Sequence, residues 1–340
     1  MKIGVCDFPS QYSFPPTGYG SIERWLWACA EGAHTLGADV HLIGPQWRKE
    51  VPIPARRLPF RLESIDSDDA QAIERLRECR LDLLIVGHEY LSLPSWRAIR
   101  DQVEIPVATF QHMPTFAHHP TAFDGVGTRL CCYSAEMMSL YRHHRPSQCL
   151  SVQTGIEEDP LPARQGDSLI WMGRLCAEKA PHLAALAARK VNRPIRFFGP
   201  VHDTDYMRRH RHDFDSPLIS FEGEVGQTAK TQALASGTAM VYTYARDYIE
   251  AGAAVFGDAL RAGTPVVALT WNEGTCPHAA LCDNTGTIAV ANPKIDDEEA
   301  VALLADALNT TGSLDPSDVQ TIGLQRFDPA THVRHLLGHT

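Results

Sequence analysis

Short β-branched or apolar runs alternate along the chain with helix-length segments whose apolar positions recur on one face, the pattern of βαβ units and a parallel sheet. In the first half KIGVCDF, ADVHLIG, LDLLIVG, IPVATFQH and RLCCYS read as strands, and the spacing predicts a helix over Ile22–Leu36. The turn-rich stretch TGIEEDPLPARQGD interrupts the alternation. It restarts with SLIWMGR, IRFFGP, LISFEG, AMVYTY, PVVALT and GTIAV, which sets a domain boundary near residue 160. No repeat at a fixed short period and no low-complexity tract appears, so the expected fold is α/β: two doubly wound Rossmann-like domains facing a central cleft. In such sheets ligands bind beyond the carboxyl ends of the strands, which directs attention to the loops that follow them.

Composition sharpens this picture. A chain of 340 residues that is 44% hydrophobic can bury more than one ordinary core. A formal charge of −10 argues against general binding to nucleic acid or to anionic membranes, and no membrane contact is expected. Nine cysteines without regular spacing, and no secretory leader ahead of MKIGVCDF, fit reduced thiols and a cytoplasmic location. The Cys131–Cys132 pair reads as buried strand. The histidine clusters His118-His119, His143-His144 and His210-Arg211-His212 lack zinc-site spacing and are expected in solvated loops, so no metal is expected. The basic stretch QWRKEVPIPARRLPFRL, with Arg48, Lys49, Arg56, Arg57 and Arg61, reads as a solvated strand pair in preference to a face for an anionic acceptor or a membrane surface.

The stretch EAGAAVFGDALRAGTPVV carries two acids, Glu250 and Asp258, among small or apolar residues. It follows the run AMVYTY, and a helix is expected to begin directly after Glu250 and to end at Gly263-Thr-Pro265. Glu250 at the helix entrance would accept hydrogen bonds from ligand hydroxyls, while Ala251, Gly252 and Ala253 would let a phosphate approach backbone N–H groups. Asp258 would face the same ligand from another side, so that the two acids grip two sets of hydroxyls. A dipole-favoured acid followed by a solvated one fits the spacing equally well.

This segment resembles the signature helix of retaining glycosyltransferases of the GT-B fold, family four: an acid, seven residues, a second acid, then a Gly-Thr-Pro turn and a strand. The resemblance implies donor-sugar hydroxyl binding for Glu250 and ribose binding for Asp258. The chain departs from the family in having aspartate in place of glutamate at 258 and in lacking Pro-Phe-Gly after Glu250. In IWMGRLCAEKAPH, Gly173-Arg174 and Glu178-Lys179, taken to open the next helix, are similar to the family's phosphate-binding arginine and lysine; two cations suit a diphosphate. Gly199-Pro200 and FEGEVGQTAK resemble base-binding loops, and ordinary turns would look the same. Gly18, Tyr19 and Gly20 resemble the glycine loop beside the donor phosphates and the acceptor, and His112 the histidine placed near the donor sugar. Ser134 and Gly155 read as a helix N-cap and a turn, and His278 stands where the family usually has an acid.

The resemblance spans nearly the whole chain and implies domains at 1–158 plus 325–340 and at 159–324. It implies transfer of a sugar from a nucleotide diphosphate sugar, UDP first, to a hydroxyl of a small-molecule, glycan or lipid-linked acceptor, with retention and without cofactor or metal. An epimerase or hydrolase on the same fold and a catalytically silent nucleotide-sugar-binding module are the alternatives. An NAD-dependent oxidoreductase is disfavoured, because the first turn lacks the glycine fingerprint and ADVHLIGP ends without an acid for ribose.

Overall fold

The computed structural model describes the chain apart from residues 19, 66–67, 156–160, 164–165, 312–313 and 339–340. The chain divides into unit 1, Met1–Ile156 with Phe327–Thr340, and unit 2, Glu157–Arg326.

Unit 1 is built on strands β1 (Lys2–Cys6), β2 (Asp39–Ile43), β3 (Arg56–Leu58), β4 (Leu83–Gly87), β5 (Val107–Phe110), β6 (Arg129–Cys132) and β7 (Ser147–Gln148). They form one parallel sheet in the order β3-β2-β1-β4-β5-β6-β7. A parallel sheet with both faces covered demands apolar residues at successive positions, and Leu83, Leu84, Ile85 and Val86 are all buried. Helices α1 (Ser21–Thr35), α2 (Ala70–Cys79), α3 (Pro94–Val103) and α4 (Ala135–Leu140) cross between the strands. The Asp69 side chain caps α2 by accepting from the Ala72 N–H at 3.1 Å, and Ser134 caps α4 by accepting from the Met137 N–H at 3.2 Å.

Unit 2 repeats the plan with β8 (Ser168–Met172), β9 (Ile195–Phe198), β10 (Ile219–Gly223), β11 (Gly237–Tyr242), β12 (Val266–Thr270) and β13 (Gly286–Val290). Its parallel order is β10-β9-β8-β11-β12-β13, so strand order reverses between β8 and β11 as it does between β1 and β4. Its helices are α5 (Pro181–Lys190), α6 (Thr204–Arg209), α7 (Gln227–Ala235), α8 (Val255–Arg261), α9 (Cys276–Ala280), α10 (Asp297–Thr310) and α11 (Pro316–Arg326). The final helix α12 (Pro329–Leu337) returns to unit 1 and packs on α1. A Cβ at Gly32 would overlap the Pro329 carbonyl, and the Trp25 indole N–H donates to His332 Nε2 at 2.8 Å. Backbone contact at Gly32 and that long-range hydrogen bond fix the docking.

All eleven expected strands are present, and α1 lies one residue from its expected bounds at each end. Four expectations need correction. First, the helix after Glu250 begins at Val255, because residues 251–254 form a loop that turns the Glu250 carboxylate inward. Second, Glu178 and Lys179 do not open α5. They lie in a single 3-10 turn, Ala177–Lys179, which Ala180 closes with φ 42° before Pro181 starts the helix. Third, the basic stretch is not a strand pair: it holds the edge strand β3, plus a bridge between Phe14 and Trp47. Arg57 there donates to the Arg48 and Lys49 carbonyls, and Arg56 pairs with Asp39 at 3.2 Å. Fourth, the histidine clusters are not simply solvated. His118 and His144 are 5.5 Å apart by ring centroids in a cluster with Phe123, and His210 stacks on His182 at 4.0 Å while bonding Asp213. The imidazole faces are apolar enough to pack against other rings.

Among the described residues no group of three or more His, Cys, Asp or Glu is placed to hold a metal ion, and no helix is long and apolar enough to cross a membrane. The nine cysteines are free thiols, with Cys131 and Cys132 buried in β6.

Candidate functional site

Two buried or nearly buried ion pairs occupy the loops and first helical turns beyond the carboxyl ends of the unit 2 strands. Glu250, in the loop after β11, accepts from the Lys179 ammonium, in the turn after β8. The pair therefore bridges the loops of the two strands between which strand order reverses, the place where open α/β sheets bind ligands. The side chains are 17% and 8% exposed. Tyr242, the last residue of β11, also donates its hydroxyl to Glu250 Oε2, and the Gly252 N–H donates to the same carboxylate. Burial alone would push the Glu250 carboxyl up, but the Lys179 charge and these hydrogen bonds hold it below the usual range. Burial would likewise pull Lys179 down, and Glu250 more than reverses that. Both groups are thus charged at neutral pH. The ammonium also lies over the Tyr248 ring, 4.9 Å from its centroid.

Asp258 does not face Glu250's partners. It sits in the first turn of α8 and pairs with Lys230, from the first turn of α7, at 2.7 Å, with both side chains close to nine-tenths buried. Arg174, just past β8, pairs with Glu178 at 3.0 Å and remains 29% exposed. Gly173 and Gly199 meet where β8 and β9 end: Gly199 has φ 136°, and a Cβ there would overlap the Gly173 carbonyl oxygen. The Pro200 carbonyl accepts from the Leu175 N–H at 2.9 Å. Of the three residues expected to offer N–H groups to a phosphate, Gly252 donates to Glu250 and Ala253 donates to Cys276 Sγ at 3.3 Å, while Ala251 is buried. Those two N–H groups shape the Glu250 loop itself. His278 is held by Thr275 at 2.9 Å and Glu273 at 2.8 Å.

The remaining sequence-stretch candidates lie in unit 1. Gly20 has φ 146° and precedes α1, where a Cβ would press on Pro16 and Glu23; Gly18 is half-buried beside it, and Tyr19 lies outside the described residues. His112 follows β5, its ring 4.9 Å from those of Trp25 and Phe110 and 6.0 Å from that of His88. Burial, with His88 and His332 nearby, holds it well below the usual histidine range, so it is a neutral imidazole. His112 Nε2 is buried and makes no hydrogen bond among the described residues.

Sequence reasoning paired Glu250 with Asp258 and Arg174 with Lys179; the structure joins Glu250 to Lys179 and Asp258 to Lys230. It also adds Tyr242, Tyr248 and His88, which the sequence reading passed over. The signals available were faint: Tyr242 ends an apolar run, Lys230 closes FEGEVGQTAK, and His88 follows LLIVG much as His112 follows VATFQ.

No protein-family model matches the chain, and no curated protein matches it by sequence. Solved structures do match it in fold. AviGT4, a glycosyltransferase involved in avilamycin A biosynthesis, aligns over 99% of this chain and 96% of its own, with a TM-score of 0.71 and 20% identity. HepE from Anabaena, in complex with UDP and glucose, aligns over 99% and 98% with a TM-score of 0.64 and 15% identity. WaaG, a glycosyltransferase of lipopolysaccharide biosynthesis, aligns over 99% and 100% with a TM-score of 0.62 and 13% identity. The chain has the two-domain α/β GT-B fold.

Proposed function

We propose that the protein is a glycosyltransferase that moves a sugar from a nucleotide diphosphate sugar to an acceptor hydroxyl with retention of anomeric configuration. The observation that carries this reading is the ionised Glu250, fixed by Lys179 and Tyr242 at the point where the unit 2 strand order reverses, with the Arg174 charge acting on Lys179. A carboxylate so placed is an acceptor for sugar hydroxyls. Lys179 has three N–H donors and commits one to Glu250, which leaves donors for a diphosphate oxygen. Arg174 adds a second cation. Negative charge builds on the diphosphate as the sugar departs, and fixed cations that meet it there lower the barrier as an oxyanion site does. Asp258, held by Lys230, is assigned to the ribose, and the Gly173–Gly199 crossing supplies the close backbone approach for the nucleotide.

His112, neutral and with one ring nitrogen unpartnered among the described residues, is assigned to a sugar hydroxyl, and the Gly18–Gly20 loop to the acceptor side. UDP is the first choice of nucleotide, supported by the complexes of HepE with UDP-glucose and with UDP. The acceptor is a small molecule, glycan or lipid-linked hydroxyl. Reaction needs no divalent metal in this reading, because protein cations take the diphosphate charge.

The test is thermal unfolding of wild type and Glu250→Ala with UDP, GDP, ADP and their sugar conjugates. Ligand at about 100 times its dissociation constant stabilises by roughly 2.7 kcal/mol. One nucleotide should raise the midpoint of both proteins, and its sugar conjugate should add stability in wild type alone. No shift with any nucleotide would remove the reading. Release of free sugar or an epimer without acceptor would instead assign a hydrolase or epimerase.

A further inference from the structure

We infer that Tyr242 is a positioning residue for Glu250, its hydroxyl setting the carboxylate at the angle from which it accepts a hydrogen bond from a hydroxyl of the donor sugar. The inference rests on the nucleotide-sugar reading above and adds to it a residue that never touches the ligand.

Tyr242 and Lys179 reach the same oxygen, Glu250 Oε2, from different supports. Lys179 reaches it on a flexible four-carbon stem from a single 3-10 turn, so it fixes charge and proximity more than direction. Tyr242 reaches it on a rigid ring at the end of a central strand. That ring is buried, 4.6 Å by centroid from Phe256 of α8. Two rotatable bonds separate its hydroxyl from the sheet, so the direction of its hydrogen bond follows the sheet's own geometry. Burial, then the neighbouring Glu250 charge, hold the phenol well above its ordinary range; it keeps its proton and remains a donor at every physiological pH. With Oε2 engaged twice and the Gly252 N–H donating as well, the carboxylate cannot turn about its bond without losing at least one partner. What remains for a ligand is a lone pair of fixed direction.

Tyr242→Phe removes the hydroxyl and leaves the ring in its packing. The experiment measures UDP and UDP-glucose affinity by calorimetry for wild type and Tyr242→Phe, and takes the ratio of the two constants within each protein. Both ligands bind the same folded molecules, so the ratio cancels any loss of folded protein. UDP affinity should stay within about twofold, while UDP-glucose affinity falls about tenfold, the scale of one hydrogen bond to a charged group. In a Glu250→Ala background, where no acceptor remains for the Tyr242 hydroxyl, the Tyr242→Phe change should have little further effect on the ratio. An unchanged ratio, or equal losses for both ligands, would assign Tyr242 to packing and overturn the inference while leaving the nucleotide-sugar reading intact. Wild type that binds none of UDP, GDP, ADP and their sugar conjugates would bring down that reading and this inference together.

Discussion

Lys179 and Glu250 lie 71 residues apart in sequence and hydrogen-bond directly, most of each side chain withdrawn from water. Removing one member leaves the other as an unpaired charge in a poorly solvated place. Lys179→Met should therefore lower unfolding free energy by about 3–5 kcal/mol. The double variant Lys179→Met/Glu250→Gln should recover more than half of that, since the neutral amide still accepts from Tyr242. Urea unfolding of the single and double variants measures both. Additive losses would mean that the two groups do not act as a pair.

Acid should weaken unit 1. Burial lowers His88, His118 and His332 to about 4, against an ordinary value near 6.5. Between those values the unfolded chain holds protons that the folded chain lacks, so stability is full above the ordinary histidine range and falls as pH drops toward 4. Asp7 works in the opposite sense: burial raises it to about 6, and its folded form takes a proton over the same interval. These four groups alone give about two protons taken up on unfolding near pH 5, or roughly 3 kcal/mol lost per pH unit, and His112, also held well below the histidine range, adds to the loss. Urea midpoints from pH 7 to pH 4.5 test this, and a flat profile would contradict the burial of these rings.

Turnover should survive chelation. Arg174 and Lys179 place two fixed positive charges in the loops beyond β8, and in the proposed reaction they take the charge of the leaving diphosphate. Activity in excess EDTA should match that with added magnesium. Loss on chelation with recovery on metal return would transfer that role from the two side chains to an ion.

Gly199→Ala should cost far more than Gly223→Ala. Both residues have positive φ, 136° and 77°, but the new methyl would strike the Gly173 carbonyl in the first case and meet nothing within 4 Å in the second. The second change should cost about 1–2 kcal/mol for the left-handed backbone alone. The first adds a backbone collision where β8 and β9 end. Thermal midpoints and UDP binding of the two variants report the difference.

The parallel sheets were legible because buried strands such as LLIVG and VVALT are unbroken apolar runs, which few other structures demand. The short edge strands β3, Arg-Arg-Leu, and β7, Ser-Gln, were not, because an edge faces water and carries no such signature. Glu250 was legible as a candidate and misplaced as a helix entrance. Its conformation is decided by Lys179 and Tyr242, which no local pattern brings to it. The Lys230–Asp258 pair escaped for the same reason: two first turns on neighbouring helices meet only once the sheet has set them side by side.

The docking of α12 on α1 bears on how the molecule is made. A ribosome releases β1 through β7 before any of unit 2, yet the helix whose Pro329 seats against Gly32, and whose His332 accepts a hydrogen bond from the Trp25 indole N–H, emerges after Arg326. The domain begun first is completed last. A nascent chain must carry an uncovered α1 face while an entire second domain is synthesised and collapses, and a translation pause or a protease cut near residue 326 would strand it with that face open.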